Sequence, residues 1–332
     1  MKSNSRPQPD PATRLVLAAV AATRPPPTHT LSPAEARAAM LAAGKVGDMP
    51  PAPIAHVFDR TIPGLATAGG VDIKVRVYDP HATASVAAGA APLPVLAYFH
   101  GGGFVIGDLD THDTICRALS ARSGAMVMAV DYRLAPEHRY PAAVEDALAA
   151  VRWLEAHAGE IGGDPSRLAV GGDSAGATLA AVAAQDARQR SSTALKAQIL
   201  FYPVVDIGGD YPSREEQAGT PPIPRETLDW FWRLYFGAEA GDAERLHPWA
   251  SPIRAASLAG LPPTFLLTAG LDPLRDEGRA YAERLAAESV ETCYVSATGT
   301  IHGFLRMGKL IPATHDALAA AGAFLARRVG LA

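Results

Sequence analysis

The sequence predicts an α/β protein in which a mostly parallel central sheet carries helices on both faces. Two observations point there. Short apolar runs recur at residues 95–99, 125–130, 168–170, 199–202 and 265–268. They are too short for helices and lack the polar alternation of a strand with one wet face. Helical stretches fall between most of them, at 142–158, 175–190 and 274–287, and strands that alternate with helices build parallel sheets.

Taken in order, the chain opens with helices. Asp10-Pro11 reads as an N-cap followed by a first-turn proline, and Arg24-Pro25-Pro26-Pro27 stops the helix so begun. Leu31-Ser32-Pro33-Ala34-Glu35 repeats the pattern, with Glu35 near the positive end of the second helix. Met49-Pro50-Pro51 ends this preface, so residues 1–50 read as an N-terminal helical cap segment. Residues 71–78 then alternate apolar and polar with period two, an antiparallel strand near a sheet edge. The buried runs follow, a further strand is expected at 292–295, and a helix over 312–329 closes the chain.

One segment breaks the rhythm. Residues 208–241 hold Pro221-Pro222-Ile223-Pro224 and then Trp230, Phe231, Trp232, Tyr235 and Phe236, too aromatic for a linker. It reads as an inserted helical segment that joins the preface in a lid. The main α/β domain is then 51–207 and 242–332.

Composition excludes several classes. The 332 residues are 48% hydrophobic and 19% charged with a net charge of -4, which leaves no electrostatic case for nucleic acid or an anionic membrane as the main partner. No apolar run approaches the roughly 18 residues of a membrane span. Residues 15–22, LVLAAVAA, preceded by Arg6 and Arg14, imitate a secretory signal, but the run is short and Asp10 sits in its basic flank. Cys116 and Cys293 alone cannot staple a disulfide scaffold or build a thiolate zinc site. The expectation is a cytoplasmic protein without a metal or an organic cofactor.

Chemistry concentrates at glycine-rich turns. Gly172-Asp173-Ser174-Ala175-Gly176 lies between a predicted strand and a predicted helix. A nucleophile on so sharp a turn needs small neighbours, and the following helix aims its N-terminal amides at the reacting centre. The spacing does not make the G-x-G-x-x-G of a dinucleotide loop. Upstream, His100-Gly101-Gly102-Gly103-Phe104 follows a buried strand. Three consecutive glycines let backbone N–H groups approach a substrate oxygen, each such donor being worth about 3 kcal/mol to a barrier.

A serine hydroxyl also needs a base, and the base needs an acid. Asp206 and Asp272 both sit just past predicted strand ends. Asp272 is favoured because Gly270-Leu271-Asp272-Pro273 exits straight into a helix, with Asp206 as the alternative and Asp276 as a brace for that helix. His302 follows both on a short loop, whereas His247 and His315 read as surface or structural. His100 is expected to brace its loop, Asp173 to hold a loop by accepting N–H bonds, and Arg133 to pair with Glu137. Phe104, Tyr202, Trp230, Phe231 and Trp249 are candidates to line a substrate pocket.

Five motifs now stand in one order: His100-Gly101-Gly102-Gly103-Phe104, Asp131-Tyr132-Arg133-Leu134-Ala135-Pro136-Glu137, Gly172-Asp173-Ser174-Ala175-Gly176, Asp272-Pro273-Leu274-Arg275-Asp276-Glu277-Gly278 and His302-Gly303-Phe304. Together they resemble the bacterial hormone-sensitive-lipase-like esterases, over nearly the whole chain. The resemblance implies an α/β-hydrolase fold with a helical cap. It implies Ser174 as nucleophile, His302 as general base and then acid, Asp272 as its carboxylate, and the amides of Gly102, Gly103 and Ala175 as the oxyanion hole. The implied activity is that of a serine carboxylesterase acting on short- to medium-chain esters through an acyl-enzyme. The same machinery on amides, lactones or carbamates is the alternative, and a non-catalytic receptor the remote one. Ala177 departs from the family's usual glycine, and Ser296-Ala297-Thr298-Gly299-Thr300 is more polar than usual, which is expected to alter the pocket near the base. The implied ligand is a small ester, and an exposed edge near the last strand leaves room for a homodimer.

Overall fold

Capping decides where the first helices begin. Asp10 accepts the Thr13 N–H at 2.7 Å ahead of α1 (Pro11–Thr23), and Ser32 and Glu35 cap each other's backbone at the head of α2 (Pro33–Gly47). The computed structural model describes residues 7–65, 69–81 and 91–331, so Arg6 lies outside the described residues.

Eight strands form one sheet in the order β1-β2-β4-β3-β5-β6-β7-β8. They are β1 (His56–Ile62), β2 (Ile73–Asp79), β3 (Leu93–Phe99), β4 (Met126–Asp131), β5 (Gly163–Asp173), β6 (Leu195–Phe201), β7 (Thr264–Leu271) and β8 (Thr292–Ile301). β2 runs antiparallel to both β1 and β4, and the other neighbours are parallel. The period-two pattern of β2 is real: Ile73, Val75 and Val77 are buried while Lys74 is exposed. It is not the outermost strand, however. β1 covers it, holding Arg76 through its in-register neighbour Asp59 at 2.7 Å. β1 escapes the sequence reading because this edge strand buries only Ile62, too little to show a clear period.

The inner strands are buried on both faces, as their uninterrupted apolar runs require. Along β3, Val95, Ala97 and Phe99 enter one core while Leu96 and Tyr98 enter the other. The first core lies under α4 (Ala142–His157) and α5 (Ala175–Gln189). The second lies under α10 (Ala313–Arg328) and α3 (Asp113–Ser123), a helix the sequence reading leaves out. Gly322 lets these two cross closely, since a methyl there would meet the Arg122 side chain.

Residues 208–241 carry α6 (Pro212–Glu216) and α7 (Arg225–Phe236), and a short α8 (Asp242–Arg245) follows. α7 buries Trp230, Phe231, Trp232 and Tyr235 in the first core. It also meets the preface, where His29 Nδ1 lies 3.2 Å from Thr227 Oγ1. α9 (Arg275–Ala287) follows β7.

One expected ion pair is replaced. Arg133 does not pair with Glu137. Its Nη2 and Nε reach Asp146 at 2.7 and 3.0 Å, and its backbone N–H reaches the same carboxylate at 2.8 Å. Asp146 is buried at the start of α4 and must find a cation there, whereas Glu137 lies at the surface and takes Arg37 of α2 at 2.7 Å. Removing the buried partner leaves Arg133 only the longer ion pair to Glu145 at 3.3 Å. Asp146→Ala should therefore lower stability by about 3 kcal/mol. Glu137→Ala should cost about 1 kcal/mol or less. Urea titration of both variants checks the contrast.

Candidate active site

The sheet register assembles the site. At the carboxyl edge Leu271 of β7 stands opposite Ile301 of β8, so Asp272 and His302 leave the sheet side by side. Phe99 of β3 stands opposite Gly172 of β5, which brings the His100 loop beside Asp173 and Ser174. Parallel strands pointing the same way deliver all four loops to one crevice.

There, His302 Nδ1 lies 2.8 Å from Asp272 Oδ2, and His302 Nε2 lies 2.9 Å from Ser174 Oγ. Asp272 is fully buried, and His302 and Ser174 are only 6% and 8% exposed. The second oxygen of Asp272 accepts the Leu274 N–H at 2.8 Å, which fixes the carboxylate in its turn. With Nδ1–H donating to the carboxylate, Nε2 presents a lone pair to the serine hydroxyl. Asp206 does not reach His302: it accepts from Arg254 at 2.6 Å and from Tyr211 at 2.9 Å.

Ser174 has φ 55° and ψ -122°, a strained conformation for a residue with a side chain. The strain is held by close packing, because a methyl on Gly176 would overlap the Phe99 carbonyl and one on Gly172 would overlap Gly176. α5 starts at the next residue, so the Ala175 N–H has no intrahelical acceptor. Gly102, at φ 126°, closes a tight turn in which its carbonyl accepts the Val105 and Ile106 N–H groups, both at 3.0 Å. Gly103 follows at φ 60°, with Phe231 occupying the space a side chain would need. Among the described residues, no protein acceptor takes the N–H of Gly102, Gly103 or Ala175. Three free donors beside a serine hydroxyl can receive an oxygen that becomes anionic.

A buried polar cluster backs this loop. Asp173 accepts from Tyr98 Oη at 2.8 Å and from the Gly101 N–H at 3.0 Å, with His112 Nε2 at 3.3 Å. Burial works to raise this carboxyl, but His112 and Tyr98 outweigh it and bring it down to about 2. His100 Nδ1 meets the Gly101 carbonyl at 2.9 Å, and the Tyr132 hydroxyl donates to the His100 carbonyl at 2.7 Å. Burial first, and then neighbouring His112, push His100 down to about 4. His112 was not singled out by sequence. Its one signal is the Asp108–Thr111 turn before α3, where each residue's side chain accepts the other's N–H at 2.8 and 2.7 Å.

The other candidates fall as follows. The Tyr202 ring centre lies 4.8 Å from that of His302, and Trp230 meets Phe231 edge-on at 5.2 Å. Phe104 is fully buried and stacks on Tyr235 at 4.0 Å, while Trp249 meets His247 at 5.8 Å. His315 braces the Gly308 carbonyl at 3.0 Å. The polar stretch before His302 is where β8 bulges against β7, and its Gly299 carbonyl accepts the Asp10 N–H of the α1 cap at 3.0 Å. Among the described residues no group of three or more His, Cys, Asp or Glu could hold a metal ion, and no helix is long and apolar enough to cross a membrane.

Known proteins resemble this chain closely. The profile of a family described as alpha/beta hydrolase fold matches residues 96–306. Esterase LipI of Mycobacterium tuberculosis is 42% identical, over 82% of this chain and 83% of its own. An ethyl acetate hydrolase of Pseudomonas putida is 40% identical, over 76% and 78%. The ester hydrolase EH1AB1 from the metagenome of Lake Arreo, solved in complex with a derivative of bipyridine phosphonate, superposes with a TM-score of 0.90 at 40% identity. That match covers 97% of this chain and 100% of the other.

The cluster predicts an acid sensitivity in two stages. His100 is lowered from 6.5 to about 4, so between those values only the unfolded chain binds its proton and stability falls as pH falls. Asp173 is lowered from 3.8 to about 2, so its contribution is lost over that lower window. Urea midpoints measured against pH should show both declines. Asp173→Asn should be less stable at neutral pH and should lack the second decline.

Proposed function

This chain belongs to the alpha/beta hydrolase family, and from that premise we propose that it cleaves carboxylic esters by way of an acyl group carried on Ser174. The observation that carries the reading is the hydrogen-bonded chain Ser174–His302–Asp272 beside three unengaged N–H groups. Ser174 Oγ attacks the ester carbonyl while His302 Nε2 takes its proton. Asp272 holds the imidazole by Nδ1 and stabilises the imidazolium. The N–H groups of Gly102, Gly103 and Ala175 receive the charge on the carbonyl oxygen. The intermediate then expels the alcohol, which leaves with the proton from His302. Water, activated in turn by His302, attacks the acyl carbon and releases the acid.

Short to medium acyl chains fit best. The ring of Phe231 closes directly over Gly103, Tyr202 stands against His302, and a relative of this chain carries the name ethyl acetate hydrolase. Residues 7–50 and 208–241 together form the cap on the main domain, a reading supported by the His29–Thr227 contact between them and by Phe231 on the oxyanion loop. The unpaired Cys116 and Cys293 suit a reducing cytoplasm. The outer edge of β8, where Cys293 and Tyr294 are exposed, suits pairing with a second copy.

A chain-length series of activated aryl esters tests the reading. Wild type should turn over the shorter esters fastest, and Ser174→Ala should fall to the rate without protein. Asp272→Asn should lose on the order of 10⁴-fold in kcat by fixing the wrong imidazole tautomer. Asp206→Asn should retain most of its turnover. Wild-type rates in Ser174→Ala, or no ester cleaved at all, would falsify the assignment.

A further inference from the structure

The loop that carries Asp272 is fastened from outside the main domain. Ser213, the second residue of α6, is completely buried. Its Oγ donates to the Pro273 carbonyl at 2.8 Å and accepts the Asp276 N–H at 3.1 Å, while its own N–H donates to Asp276 Oδ2 at 3.0 Å. One hydroxyl thus bridges both sides of the turn that follows Asp272. Arg214, the next residue, donates to Glu277 Oε2 at 2.6 Å. Glu277 is fully buried, and its other oxygen accepts the Val205 and Asp206 N–H groups at 2.9 and 3.2 Å. Arg275 reaches back to Glu216, at the end of α6, at 2.9 Å.

This fastening bears on the triad because the same turn aims the carboxylate. Asp272 spends Oδ1 on the Leu274 N–H inside the turn and offers Oδ2 to His302. A carboxylate bound to its own turn moves with it. With the Ser213 hydroxyl removed, the buried Pro273 carbonyl and Asp276 N–H lose that partner, and the turn must shift to satisfy them. A shift of a fraction of an ångström at Oδ2 is felt at once in the His302 hydrogen bond.

We propose that Ser213 is a positioning residue, through which the inserted segment holds Asp272 in line with His302. The inference rests on the assignment of Asp272 as the triad carboxylate. The insertion then does more than cover the crevice. α6 braces the acid loop, and α7 of the same segment sets Phe231 against Gly103 of the oxyanion loop. Both halves of the machinery are referred to one inserted segment.

A double-mutant cycle tests this. Ser213→Ala should lower kcat by about 10- to 100-fold with KM nearly unchanged. Combined with Asp272→Asn, the serine change should add little, because the carboxylate it positions is gone. If Ser213→Ala costs the same factor in both backgrounds, acts on KM alone, or leaves kcat untouched, the proposal is overturned. Should Ser213→Ala fail to accumulate as folded protein, Asp276→Asn weakens the same bridge from the other side and enters the same cycle. Asp272→Asn by itself separates the two levels: wild-type turnover there removes the acid assignment and the proposal with it, whereas a large loss with an additive cycle removes the proposal alone.

Discussion

Everything at the site depends on register between parallel strands. Asp272 and His302 meet because Leu271 and Ile301 are paired neighbours at the end of β7 and β8. The glycine loop after His100 lies beside Asp173, next to Ser174, because Phe99 pairs with Gly172. A slip of one residue in either ladder would reverse which face each side chain occupies and break the Ser174–His302–Asp272 contacts. Apolar β3 and β7, buried on both faces, anchor that register between two cores, while β8 lies at the exposed edge of the sheet.

The register delivers the loops, and buried polar contacts then set their shape. Behind the oxyanion loop, Asp173 gathers Tyr98, Gly101 and His112. Behind the acid, Ser213 and Arg214 gather Pro273, Asp276 and Glu277. A buried donor or acceptor without a partner is costly, so each cluster permits few alternative arrangements. The strained backbone of Ser174 persists for the same reason, since Gly172 and Gly176 pack too tightly to let it relax.

Much of this was legible in the chain itself. Strand and helix alternation follows from where apolar residues recur, and the caps at Asp10 and Ser32 follow from local chemistry. Glycine marks the turns because few other residues accept the conformations found at Gly102 and Gly103. β1 was not legible, since only Ile62 of its residues is buried, whereas α3 buries Ile115, Ala118 and Leu119 at helical spacing and was open to reading. The pairing of Arg133 was misread for a related reason. Sequence proximity favours Glu137, but the buried carboxylate is Asp146, in the helix that follows.

Local sequence therefore determined the class of fold, the turns, and the kinds of residue at the site, because those follow from periodicity and backbone freedom. Only the tertiary structure shows which of Asp272 and Asp206 lies against His302. Both follow strands of the same sheet, and only the placement of β7 beside β8 puts one of them against His302 while the other is taken by Arg254 and Tyr211. It also disclosed His112 and Ser213, whose partners lie 61 and 63 residues away in sequence, at Asp173 and Asp276. Contacts of that range leave no pattern in a single chain. They exist only once the sheet has brought distant segments to one edge.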